Sequence, residues 1–134
     1  MATTNHKYDP GDCAFSMNGV PVTDWGPGDF FSSTQSNNDA TSSADVLGNG
    51  KMAVSHNKSG TITLTMDPYS DVYQQVISLA GTLQEVPLSL TTPVEHVHSE
   101  HAVLQKIGDI SYGTGYPTRS IVFECPDYQV DQPA

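Results

Sequence analysis

The chain has 134 residues, enough for one domain that buries roughly two-thirds of its unfolded surface. Fifteen acidic residues against five basic ones give a formal charge of -10, and only 15% of the residues are charged. That balance excludes a protein that holds free duplex DNA through Lys and Arg on its phosphates, and it disfavours an anionic membrane surface.

The opening MATTNHKYDPGD has no apolar run, so no secretory signal is expected, and no stretch approaches the ~18 apolar residues of a membrane span. Synthesis in the cytoplasm follows as the expectation. Residues 1–11 are polar and are expected to be mobile. CAFSMNGVPVTDW then reads as a hairpin around Asn18-Gly19, because both positions tolerate positive φ. Pro21 lacks a ladder donor, so the second strand is expected to lie at an edge or to be irregular there. Gly26-Pro27-Gly28-Asp29 is a turn, and a strand is expected to begin near Phe30. The segment 32–49 is almost devoid of apolar residues and reads as a long polar loop, either disordered or ordered by a partner. A short strand is expected over 50–56.

Thr61 to Met66 alternates strictly, with Ile62, Leu64 and Met66 on one face and Thr61, Thr63 and Thr65 on the other. A period of two in β-branched and apolar residues specifies a strand. A helix is expected over about 68–80, with Asp67 as its cap, Pro68 at its first position and Gly81 as its stop. Tyr69, Val72, Tyr73, Val76, Ile77 and Ala80 give it one apolar face. Val86, Leu88 and Leu90 alternate as a further strand, and RSIVFEC (119–125) reads as the closing one, followed by a polar tail. The expected fold is mainly β, a sandwich or partly open barrel of six to eight strands with one flanking helix, in a single domain over 1–134.

Few residues suggest chemistry. In VEHVHSEH, His96 and His98 point the same way along a strand, and a metal would need His101 or Glu100 as a third ligand. A polar strand face or a subunit rim explains the same residues. Cys13 and Cys125 sit at core-facing strand positions, with no C-x-x-C partner. They are expected to be reduced, with a link within or between chains as the alternative. GNGK (48–51) lacks the rest of a phosphate loop, and Asp9, Asp12, Asp24 and Asp29 lack the spacing of a calcium loop. Trp25, Phe30 and Phe31 suit packing or self-contact, and also a sugar-binding surface. No catalytic residue, cofactor or enzyme activity is expected.

KYDPGDCAFSMNGVPVTDWGPGDFF, a polar loop ending in GNGKMAVSHNKSGTITLTM, and a helix beginning at PYSDVYQQV together resemble the small proteins that form the inner tube of contractile bacteriophage tails. RSIVFECPDY resembles that family's last strand. The resemblance covers roughly 7–81 and 118–128. It implies a tail-tube fold, a β-sandwich or β-barrel with a flanking helix. It further implies hexameric rings stacked into a tube, a sheath outside, baseplate and terminator proteins at the ends, and DNA passing through the lumen without specific binding. The chain would then reside in the virion tail after assembly in the host cytoplasm, with no membrane anchor. Thr61, Thr63 and Thr65 become candidates for the lumen, Trp25, Phe30 and Phe31 for subunit contacts, and Cys13 and Cys125 for an intersubunit disulfide. A tail terminator, a head-to-tail connector and a glycan- or protein-binding β module stay open as alternatives.

Overall fold

The computed structural model describes residues 6–133. Its strands are β1 (Ala14–Met17), β2 (Val20–Val22), β3 (Phe31–Gln35), β4 (Ala40–Ala44), β5 (Gly50–Val54), β6 (Gly60–Met66), β7 (Glu85–Thr91), β8 (His96–Ile107), β9 (Arg119–Cys125) and β10 (Gln129–Asp131), and its helix is α1 (Asp71–Leu79). Part of the expected mobile N-terminus, residues 1–5, lies outside the described residues. Pro10–Asp12 forms a 3-10 turn whose Gly11 amide donates to Asp9 Oδ1 at 2.9 Å.

Eight strands form one antiparallel sheet in the order β2-β1-β7-β8-β9-β6-β3, with β10 added to β8. The sheet wraps around one core and gives a sandwich-like arrangement. Phe15 of β1 packs 5.7 Å from Phe31 of β3, although the two strands stand near opposite ends of the path. The end strands β2 and β3 do not pair with each other among the described residues, so the sheet stays open. The barrel alternative is therefore not what a single copy forms. Long β8 makes the turn between layers: residues 96–103 pair with β7, residues 103–107 with β9, and 96–98 with β10.

Local chemistry explains the secure elements. Asn18 (φ 53) and Gly19 (φ 79) both take the left-handed conformation that the tight β1–β2 turn requires. Pro21 sits on the terminal strand β2, as an edge position demands. In β6 the side chains of Ile62, Leu64 and Met66 are fully buried, while Thr61, Thr63 and Thr65 are half-buried on the opposite face. Phe123, Ile121 and Cys125 of β9 lie beside them in register, together with Val86, Leu88 and Leu90 of β7 in the same core. Burying such aliphatic side chains is worth about 1.5–3 kcal/mol each.

The helix starts later than the sequence suggests. Asp67 accepts the Tyr69 amide at 2.9 Å in a separate turn, and Ser70 is the cap, accepting from the Tyr73 amide at 3.2 Å. Pro68 therefore precedes the helix instead of opening it. Val72, Tyr73 and Val76 join the core, and Gly81 (φ 77) redirects the chain beyond the Ala80 cap.

The long polar loop over 32–49 is a correction. It contains most of β3, all of β4 and the turn of a β4–β5 hairpin that forms its own two-stranded sheet. Every residue of β4 and β5 is exposed. Their backbone ladder exists without a buried face, so no apolar alternation marks β4, while β5 falls within the short strand expected over 50–56.

Candidate functional site

Two surfaces are built with more care than solvent exposure requires. The first is the β4–β5 hairpin. Its tip is held by Asp45, whose Oδ1 accepts the Leu47 and Asn49 amides at 2.9 Å each and whose Oδ2 accepts Asn49 Nδ2 at 2.9 Å. The Asn49 side chain above all, then the turn amides, lowers the Asp45 pKa below the usual carboxylate value. At the base, the Ser55 amide donates to the Asp39 carbonyl at 2.8 Å, and Asp39 also receives Lys58 Nζ at 3.1 Å and Gln35 Nε2 at 2.8 Å. A two-stranded hairpin is marginal by itself in water. This one nevertheless presents Val46, Leu47, Met52 and Val54 to solvent, with Val46 and Leu47 more than four-fifths exposed.

The second surface is the outer face of β7 and β8. His96 and His98 do share a face, with their rings stacked 4.6 Å apart at 23°. Neither expected third ligand joins them. β8 loses register against β7 between Val86 and Leu88, which leaves both Glu100 and His101 exposed between buried Ser99 and Ala102. This bulge turns His101 to Glu85, with Nδ1 and Oε2 2.9 Å apart. The hydrogen bond to Glu85 raises the His101 pKa. The bulge itself is clamped by Asp127, which accepts the Ser99 hydroxyl and the amides of Glu100 (3.2 Å) and His101 (3.4 Å). Burial opposes ionisation of Asp127, but Ser99 and the two amides outweigh it and hold its pKa below the usual value.

The third group beside the histidines is Asp131, from a segment that reads as polar tail. Strand β10 pairs with β8 so that Gln129 faces His98 and Asp131 faces His96. Asp131 Oδ2 lies 2.6 Å from His98 Nε2, and Ser89 Oγ is hydrogen-bonded to His96 Nε2 at 2.8 Å. One ligand atom from each of His96, His98 and Asp131 lies within 4.8 Å of the others. The carboxylates Asp9, Asp12, Asp24 and Asp29 make no such group among the described residues. No signal in the sequence links Asp131 to the histidines, because Gln-Val-Asp is too short to show a period.

The remaining candidates are dispersed. Thr61 and Thr63 stand on the outer face opposite Glu124 and Val122, while Thr65 meets the 25–30 segment, whose Gly26 amide donates to the Thr65 carbonyl at 3.1 Å. Trp25 and Phe31 pack on the core against Phe15, at 5.7 Å each, and Phe30 stacks 5.0 Å from Trp25. Both cysteines are free. Cys125 is fully buried, and burial pushes its thiol up to about 11. Its sulfur cannot reach a neighbouring copy without opening the core, which argues against it as half of an intersubunit disulfide. Cys13 is half-buried beside a cleft of 810 Å³ that Tyr8, Phe30 and Phe31 also line. Arg119, which no sequence motif singles out, is buried, with Nη1 donating to the Thr118 carbonyl at 2.8 Å, its guanidinium 4.8 Å from the Tyr112 ring centre, and Nε without a partner. No helix among the described residues is long and apolar enough to cross a membrane.

No family model and no curated protein matches the sequence. Solved structures do match the fold. A chain from the cryo-EM structure of the anti-feeding prophage tube-terminating cap aligns with a TM-score of 0.68 at 9% identity, covering 98% of this chain and 95% of that one. Chains from an extracellular contractile injection system align similarly. One, from its sheath/tube terminator in the extended state, gives a TM-score of 0.67 at 9% identity, over 96% of this chain and 99% of that one. Another, from its sheath-tube complex in the extended state, gives 0.64 at 10% identity, over 95% and 93%. The chain thus has the fold found in tube, sheath and cap structures of contractile injection systems, from end to end.

Proposed function

We propose that this protein is the subunit of a hollow tube. Six copies close into a ring, and rings stack with a helical twist into the inner tube of a contractile phage tail. A sheath surrounds the tube, baseplate and terminator proteins finish its ends, and DNA moves through the lumen into the host. The role is structural and not catalytic, carried out in the virion tail after assembly in the host cytoplasm.

The observation that carries this reading is the β4–β5 hairpin. A preorganised two-stranded sheet with exposed Val46, Leu47, Met52 and Val54 pairs with no other strand among the described residues, and a neighbouring copy supplies a partner. The full-length fold likeness to tube and cap structures supports it. The open strands β2 and β3 offer ladder groups that adjacent copies complete, which removes exposed edges by closure. Thr61 and Thr63, on a hydroxyl-bearing face with Ser32 and Thr34 in register beside them, suit a wet lumen. The charge of -10 and five basic residues give passing DNA little to adhere to.

Electron microscopy of the purified chain tests the proposal, with a variant in which residues 40–54 are replaced by Gly-Gly between Asp39 and Ser55. The wild-type chain is expected to form long hollow filaments. The variant is expected to melt as a folded domain yet stop at single rings or monomers. A wild type that stays monomeric at every concentration and salt overturns the proposal, as does a variant that forms the same filaments. A second reading, a terminating ring, is favoured by the cap and terminator structures among the similar folds. It predicts isolated discs and no filament from the wild-type chain alone.

A further inference from the structure

We propose that His96, His98 and Asp131 bind one borderline divalent transition-metal ion, of the class of Zn²⁺, and that the ion fastens the C-terminal strand to the body of the fold.

The sequence brings two imidazoles together because residues i and i+2 of a strand share a face. The ladder then brings a carboxylate to them, since β10 pairs along the same end of β8. Three donors of the right kind result, two nitrogens and one oxygen, with their ligand atoms inside 4.8 Å of one another. Around a bound zinc, with bonds of about 2.0–2.2 Å, tetrahedral donors sit about 3.4 Å apart, so the widest separation closes while the 2.6 Å contact between His98 Nε2 and Asp131 Oδ2 opens. His96 and His98 are half-buried and Asp131 is exposed, so side-chain rotation is the motion this adjustment calls for. The Ser89 hydroxyl at His96 Nε2 sets the plane of that ring, as outer contacts of ligating histidines do. Imidazole with carboxylate suits Zn²⁺, Ni²⁺ or Cu²⁺ and gives Mg²⁺ and Ca²⁺ too few oxygens. Three protein ligands leave a position open to water or to a group from a neighbouring molecule.

The ion would join two segments that are otherwise tied weakly. All three residues of β10 are exposed, and it pairs with β8 over three positions. Metal bonds from Asp131 to two β8 histidines add a cross-link that the unfolded chain lacks, so metal affinity becomes stability of this strand. His101 has no part in it, being held by Glu85 at the bulge.

The test is calorimetric titration of chelator-treated full-length chain with ZnCl₂, alongside hydrogen exchange of the amides of residues 129–131. Wild type is expected to take up one equivalent, with exchange at 129–131 slowing on addition. D131N and H98A are expected to bind at least ~10-fold more weakly, and H101A as wild type does. MgCl₂ is expected to produce no saturable heat. D131N changes an exposed residue, so its folding is not at issue, and circular dichroism of H98A without metal separates misfolding from ligand loss. No saturable uptake by wild type overturns the proposal. So does undiminished uptake by D131N, and so does a loss in H101A that equals the loss in H98A. The outcome does not depend on whether the chain forms tubes.

Discussion

Replacing Asp127 with Ala should cost about 2–3 kcal/mol, because it strands a fully buried donor. The Ser99 side chain has no solvent access, and Asp127 accepts its hydroxyl. The Glu100 and His101 amides, bonded to the same carboxylate at 3.2 and 3.4 Å, lie at the exposed bulge, where water can replace the lost acceptor. Most of the loss therefore comes from the stranded Ser99 hydroxyl. At a typical unfolding entropy of ~2.1 cal/mol/K per residue, each kcal/mol lowers the melting temperature of a chain this size by about 3–4 °C, so D127A should melt ~6–10 °C lower. S99A should lose much less, roughly 1 kcal/mol, because it frees a carboxylate that is only half-buried. The double variant should then be no worse than D127A. Additive losses in this cycle would mean that the two residues do not act through one hydrogen bond. The pH dependence has a fixed sign. A carboxylate whose folded pKa is lowered stabilises the fold above its unfolded value of about 3.9, and that contribution is lost as pH falls through the folded value. Melting temperature should thus fall more steeply below about pH 5 in wild type than in D127N. Scanning calorimetry at one matched protein concentration measures all five proteins. A D127A melt within ~2 °C of wild type at pH 7 would refute the reasoning.

Three further outcomes follow from single positions. A Cβ at Gly60 would lie 2.7 Å from Tyr128 Cγ and 2.8 Å from the Thr34 carbonyl oxygen, so G60A should be destabilised by about 1–3 kcal/mol in a denaturant titration, with an unchanged melt counting against the packing. With its thiol pushed up to about 11 and fully buried, Cys125 should resist iodoacetamide at pH 8 in the folded chain while half-buried Cys13 is alkylated, and mass spectrometry finding Cys125 modified as fast as Cys13 would contradict this. Arg119 is a buried cation with an unpartnered Nε, so R119M, of similar length, should be neutral or stabilising by up to ~2 kcal/mol in thermal melts, and a marked loss would show that the guanidinium contributes more than its desolvation costs.

Most of the elements that can be read from the sequence bury something inside their own chain, exposed β5 being an exception. Ile62, Leu64 and Met66 sit at a period of two because all three lie against Phe123 and Ile121 in one core. Asn18-Gly19 is legible for a different reason, as two adjacent positive φ angles admit few other residues. The helix is legible but its start is not, because Asp67 does cap an amide, that of Tyr69, in a turn that competes with the true cap at Ser70. What stays hidden is of one kind. Strands β4 and β10 are exposed at every position, so their pairing rests on backbone ladders that leave no apolar record. The β8 bulge hides for a related reason: a register slip changes which residues face inward without changing the composition, and it moves His101 out of the group that its spacing suggests. Strand β4 carries no apolar period, while Met52 and Val54, two apart on exposed β5, belong to the short strand expected over 50–56. Apolar residues left exposed on a hairpin are what a surface completed by a second copy should leave. The exposed Val46, Leu47, Met52 and Val54 then mark where such a copy would sit.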